Sequence, residues 1–64
     1  MNLISGEITE IFVEDGTAMA RVNVQGASTR ISLMFLPEAH VGDMILSESG
    51  VAVSRLQPET SKEQ

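Results

Sequence analysis

Residues 9–33 decide the fold, and they read TEIFVEDGTAMARVNVQGASTRISL. Two dipeptides, Asp15-Gly16 and Gln25-Gly26, divide this stretch into short runs in which apolar and polar residues alternate. An Asp-Gly pair tolerates the positive φ angles of a type I′ turn, whose twist matches that of an antiparallel hairpin. The stretch therefore predicts three consecutive antiparallel strands joined by two-residue turns.

The two turns also predict the register of these strands. A two-residue loop at the first turn pairs Glu14 with Thr17 and places Thr9 opposite Val22. The register from the second turn puts the same positions of the middle strand inward, and a slip of one residue would reverse every side chain. The predicted inner face consists of Ile11, Val13, Ala18, Ala20, Val22, Val24, Ile31 and Leu33.

The outer face of the same strands carries a ladder of charged residues. Arg21 and Arg30 are expected to lie directly opposite each other, and Glu10 on the far side of Arg21 offsets part of their repulsion. Phe12 and Met19 face each other on this side. An exposed aromatic and thioether pair is typical of a contact surface. The other interpretation is that another segment of the chain covers the pair, and both interpretations stay open.

The second half of the chain predicts two further strands, at residues 44–46 and 51–56, separated by turn signals. Residues 57–64 are polar and contain too few apolar residues to pack strongly. The sequence thus predicts an all-β protein, a small five-stranded barrel over residues 1–56 with a short polar C-terminal tail at 57–64.

Composition limits the partners that we expect. The chain has 64 residues, a net charge of -5, two Phe and neither Trp nor Tyr. An acidic protein repels phosphate backbones and anionic lipid surfaces, and it offers few aromatic rings for stacking on bases. No apolar run approaches the length of a membrane span. We therefore expect no nucleic-acid partner, no membrane association and a cytoplasmic location.

The residue types of an enzyme or a metal centre are missing. A Ser or Cys nucleophile needs an activating base, and His40 is the only histidine of the chain. Soft and borderline metals need clusters of Cys or His, and the sequence contains no Cys. The sequence predicts no catalytic residue, no metal site and no cofactor.

The second half resembles the HypC/HupF hydrogenase-assembly chaperones. The resemblance lies in Leu36-Pro37-Glu38-Ala39, in Val41-Gly42-Asp43 and in the run from Gly50 to Leu56. Two positions depart from the family pattern. The family has Cys at the second position, where this chain has Asn2, and a His where this chain has Glu48.

The resemblance implies an OB-like β-barrel that assists hydrogenase maturation. Members of the family bind HypD, take part in delivering the iron with its ligands, and escort the precursor of the nickel-iron hydrogenase large subunit. Their N-terminal thiolate is central to this work. The neutral amide of Asn2 cannot act as a thiolate ligand, so we expect the chain to bind such partners without carrying iron itself.

Residues expected to contact a partner fall in the N-terminal segment, on the outer face and at the altered His position. They are Met1, Asn2, Leu3, Ile4, Phe12, Met19 and Glu48. A competing interpretation is that Leu3 and Ile4 start the first strand and pack into the protein's own core. The alternative function is a non-chaperone interaction or regulatory module that reuses the barrel.

Overall fold

The computed structural model describes residues 2–56, which form a closed barrel of five strands. The strands are β1 (Ile4–Glu14), β2 (Thr17–Val24), β3 (Ala27–Ser32), β4 (Met44–Glu48) and β5 (Val51–Leu56). Their order around the barrel is β1-β2-β3-β5-β4, with β4 paired to β1. The predicted all-β, five-stranded OB-like barrel is confirmed. Met1 and the predicted tail, residues 57–64, lie outside the described residues.

Three of the connections are two-residue turns in which both residues have positive φ, as a type I′ hairpin turn requires. The residues and their φ angles are Asp15 (53°) and Gly16 (78°), Gln25 (52°) and Gly26 (88°), and Ser49 (54°) and Gly50 (81°). The first two turns were predicted from the sequence and are confirmed. The third joins β4 to β5 with the same geometry.

β1 pairs with two different strands along its length. Residues 7–14 pair antiparallel with β2, and residues 4–7 pair antiparallel with β4. The strand therefore carries one hydrogen-bonding edge to each neighbour, and the barrel closes because its first and fourth strands meet.

No helix within residues 2–56 has the length and apolar character needed to cross a bilayer.

A β-bulge in β1 changes the predicted register at one position. The irregularity lies between Ile8 and Glu10, and it leaves Thr9 without a partner in the ladder. The Thr9 hydroxyl instead donates to the carbonyl oxygen of Arg21 at 3.1 Å. Val22 consequently pairs with Ile8, so the predicted pairing of Thr9 with Val22 is wrong. The predicted pairs nearer the turn, and those between β2 and β3, are confirmed.

Two residues of the predicted inner face are not buried. Ile11 is 37% exposed and Val13 is 71% exposed, although each lies on the same face as its buried or half-buried partner in β2. The reason is that β4 pairs with β1 only as far as Glu7. Beyond the bulge, the β1–β2 hairpin extends past the part of the wall that β4 covers, so these two side chains project beyond the core.

The core is formed by residues from every strand and from the connection after β3. Ala18 and Val24 are half-buried against it. The predicted inner residues Ala20, Val22, Ile31 and Leu33 are buried, and the sequence pattern did not identify Ile8, Leu36, Ala39, Ile45 or Ala52.

The connection between β3 and β4 packs over one end of the barrel. Leu36 and Ala39 are buried within it. Its C-terminal end is held by the backbone of Ile8, whose N–H donates to Asp43 O and whose carbonyl oxygen accepts from the Gly42 N–H, each at 2.9 Å. These two hydrogen bonds continue the line of the β1–β4 pairing beyond the last strand pair.

Gly6 provides a test of the close approach between β1 and β2. A Cβ atom at this position would lie 2.6 Å from Cγ1 of Val22 and 2.7 Å from the carbonyl oxygen of Asn23. We expect Gly6→Ala to lower the free energy of unfolding by roughly 1–3 kcal/mol, the usual cost of overpacking. Urea denaturation measures the change. The neighbouring exposed Ser5→Ala variant is the control and should change stability by less than about 0.5 kcal/mol; equal losses in both variants would contradict the close approach.

Candidate functional site

The N-terminal segment and Glu48 meet at one end of the barrel, which we call the mouth. Ile4 pairs with Ser47 in the β1–β4 ladder, and Glu48 follows directly at the end of β4. Ser47 is only 3% exposed, and its hydroxyl donates to the carbonyl oxygen of Ile4 at 3.3 Å. This buried hydroxyl ties the start of β1 to the end of β4, so Leu3 lies near the level of Glu48.

The apolar side chains at the mouth are available for contact. Leu3 is 52% exposed and Ile4 is 45% exposed, and Asn2 is also exposed. Ile4 does start the first strand, as the competing interpretation expected, but neither side chain belongs to the buried core. The structure thus presents residues 2–4 as an exposed segment next to Glu48.

An apolar cavity of about 240 Å³ opens beside this segment. It lies between β3 on one side and the beginning of β1 and the β4–β5 turn on the other. Its lining residues are Ile4, Val24, Ala27, Thr29, Ile31, Ser47 and Gly50. Of these, only Ile4 was a predicted contact residue. The sequence gives one local signal for the site, since Ser47 is a polar residue that follows the apolar pair at 45–46 in β4.

Phe12 and Met19 form a separate surface. They are opposite each other in the β1–β2 ladder, and both are half-buried. The guanidinium carbon of Arg21 lies 5.8 Å from the centroid of the Phe12 ring, within the range of a cation–π contact. Phe12 is eight residues beyond Ile4 along β1, about 25 Å at the usual rise of a strand. The structure therefore does not bring the predicted contact residues together in one site.

Charged residues surround this second surface. Arg21 Nε lies 3.4 Å from Glu10 Oε1, as the predicted ladder requires, and Arg30 Nη2 lies 3.3 Å from Glu14 Oε1. The second ion pair was not predicted, because it spans β2 and depends on the twist of the sheet. Both pairs are largely exposed, and such pairs contribute little to stability, about 0–1 kcal/mol.

The backbone of His40 forms a turn with Asp43. Its backbone N–H donates to Asp43 Oδ2 at 2.8 Å, and the Asp43 N–H donates back to the His40 carbonyl oxygen at 3.0 Å. The imidazole Nδ1 is 4.0 Å from the same carboxylate oxygen, and the ring is exposed. This arrangement closes a turn before β4.

No group of three or more His, Cys, Asp or Glu side chains converges within residues 2–56. The polar side chains at the mouth include the Asn2 amide and the Glu48 carboxylate, whereas the Ser47 hydroxyl is buried and donates to the Ile4 carbonyl oxygen. These are hard oxygen and amide groups, and a soft thiolate is lacking throughout the sequence. The mouth therefore offers no thiolate ligand.

Comparison with protein families identifies the chain. The model of the HupF/HypC family matches residues 4–64. The chain belongs to the HupF/HypC family. Members of this family are chaperones and not enzymes, and their role is in hydrogenase maturation. Comparison with curated proteins and with solved structures gave no match.

The donor set of this family member predicts its metal content. Because the sequence has no Cys and the single His joins no group of three possible ligands within residues 2–56, we expect the purified protein to contain no stoichiometric iron, zinc or nickel. Elemental analysis by plasma mass spectrometry of protein purified without chelators measures this. One equivalent of any of these metals per chain would contradict the prediction.

Proposed function

We propose that this HupF/HypC family member is a maturation chaperone that binds its partners through the mouth without carrying iron itself. Its proposed partners are a HypD-like maturation protein and the precursor of the nickel-iron hydrogenase large subunit. Family membership supports the role. The observation that carries the site is the exposed apolar segment at Leu3 and Ile4, which the pairing of β1 with β4 places beside Glu48.

Burial of the apolar side chains at the mouth would supply part of the binding free energy. Burying a large apolar side chain completely contributes roughly 1.5–3 kcal/mol. Leu3 and Ile4 are each about half exposed in the free protein, so a partner that covers both gains about 2 kcal/mol in total. Asn2 and Glu48 add hydrogen-bonding groups around this apolar contact, and such groups fix orientation.

A second candidate function is a regulatory or interaction module that has kept the barrel and changed its partner. Two departures from the family pattern favour it, Asn2 in place of the thiolate and Glu48 in place of the imidazole. Such a module would bind through the same exposed surface, but with neither of the two maturation partners. Measuring binding to those partners therefore separates the two functions.

A double variant at the mouth tests the proposed site. We expect Leu3→Ser with Ile4→Thr to weaken binding to the HypD-like protein or to the large-subunit precursor by roughly 30-fold, the equivalent of about 2 kcal/mol. Titration calorimetry with each purified partner measures Kd. Thr keeps the β-branched shape that suits a strand, so the thermal transition should move little.

The matched control is Val13→Thr, because Val13 is exposed, apolar and on the same strand but remote from the mouth. This variant should bind with unchanged Kd. Equal weakening by the control and the double variant would remove the mouth as the binding site. Failure of the natural protein to bind either partner would favour the second candidate function.

A further inference from the structure

β3 has a backbone edge that is only partly used. The Ser32 N–H donates to the Gly50 carbonyl oxygen at 2.8 Å, away from β2, and the Leu33 N–H donates to the Ala18 carbonyl oxygen at 2.9 Å, towards β2. Backbone groups alternate between the two sides of a strand in antiparallel pairing. The N–H and C=O groups of Ser28 and Arg30 therefore point to the same side as those of Ser32, away from β2.

Closure of the barrel at this edge rests on one residue pair. β3 and β5 run parallel, and only Ser32 and Val51 are paired between them. β5 begins at the level where β3 ends, so the rest of β3 extends past it. Among residues 2–56, no strand partner faces the outward backbone groups of Ser28 and Arg30. Two donors and two acceptors are thus presented in the spacing of an open sheet edge.

The open edge borders the cavity at the mouth. Ala27, Thr29 and Ile31, the alternate residues of β3, line one side of that cavity, and Ile4 and Gly50 line the other. A strand added to the edge would lie about 4.8 Å from β3 and would point every second side chain towards the same side as these residues. The open edge and the cavity therefore fit the same ligand. This ligand is an extended chain that pairs with β3 and directs an apolar side chain into the cavity.

The outer side of the edge carries an arginine, Arg30, whose ion-pair partner is Glu14. Arg30 lies on β3 itself with its side chain more than half exposed, and Arg21 is directly opposite it on β2. Their two glutamate partners both come from β1, on the side away from the edge. An acidic side chain on an added strand, placed opposite Arg30, would complement this charge.

We propose that the open edge of β3 binds an extended segment of a partner protein by strand addition. The segment pairs with the backbone of Ser28 and Arg30, places an apolar side chain in the cavity, and directs an acidic side chain towards Arg30. This mode of recognition deepens the proposed function and rests on it for the identity of the partner. The pairing of an added strand with β3 can be tested without that partner.

The alternative occupants fit less well. The open part of β3 is about five residues long, roughly 17 Å, so pairing two copies along it buries far less than the roughly 800 Å² per partner of a stable interface. Two copies also each carry a net charge of -5. The chain's own residues 57–64 contain no large apolar side chain that would fill the cavity.

The test is amide hydrogen exchange, followed by NMR on the full-length protein labelled with nitrogen-15. The probe is the capped heptapeptide acetyl-Thr-Val-Glu-Ile-Thr-Val-Thr-amide, and a peptide with Lys in place of Glu is the charge control. In the free protein, the Ser28 and Arg30 amides should exchange quickly, whereas those of Thr29 and Ile31, which face β2, are protected. At nine-tenths occupancy by the probe, exchange of Ser28 and Arg30 should slow about tenfold. The Lys peptide should bind more weakly.

Ser28→Pro supplies the matched variant. Proline removes the outward N–H without removing a bond to β2, and proline is tolerated on edge strands. Ser28→Pro should abolish the protection by the peptide, and Ser28→Ala should retain it. If the thermal transition of the Ser28→Pro protein is lowered, this variant is set aside. The exchange rates of Ser28 and Arg30 in the natural chain, with and without the peptide, then test the inference.

Three results would overturn the inference. The first is protection of Ser28 and Arg30 in the free monomer, which would mean that the chain covers its own edge. The second is protection that grows with protein concentration together with a doubled mass in sedimentation, which would assign the edge to a second copy. The third is peptide addition without any slowing at these two amides. None of these results involves the maturation partners, so they are distinguishable from failure of the proposed function.

Discussion

The structure depends on β1 pairing with β2 and β4 at once. A strand can serve both neighbours in a barrel this small only if it bends, and the bulge at Thr9 and the missing side chain of Gly6 allow the bend. Ile8 lies between them. It is fully buried, it faces Val22 in the ladder, and its backbone holds the connection before β4.

The position of the mouth follows from this arrangement. Because β1 enters the barrel beside the end of β4, the N-terminal segment emerges next to Ser47 and Glu48. Only one residue pair closes the barrel between β3 and β5, and an apolar cavity lies between this junction and Ile4. The mouth therefore contains the exposed N-terminal segment, the open edge of β3 and the cavity. Phe12 and Met19 lie on a remote surface.

Much of the fold could be predicted from the sequence, because local turn chemistry determined it. Asp15-Gly16 and Gln25-Gly26 predicted both turns and most of the register. The bulge could not be predicted, since nothing in the local sequence marks Thr9, and the exposure of Val13 depends on where β4 stops. For the site, the resemblance pointed to the N-terminal segment and Glu48, which the structure brings together. The cavity and the β3 edge depend on the staggered start of β5, and this is a property of the assembled barrel.

We propose that partner binding takes place at the mouth. The most direct measurement is the footprint of a maturation partner on the nitrogen-15-labelled protein, read from chemical-shift changes across the assigned amides. The account predicts changes centred on Ile4, Ser47, Glu48 and Gly50. A footprint confined to Phe12, Met19 and their neighbours, with the mouth unchanged, would contradict it.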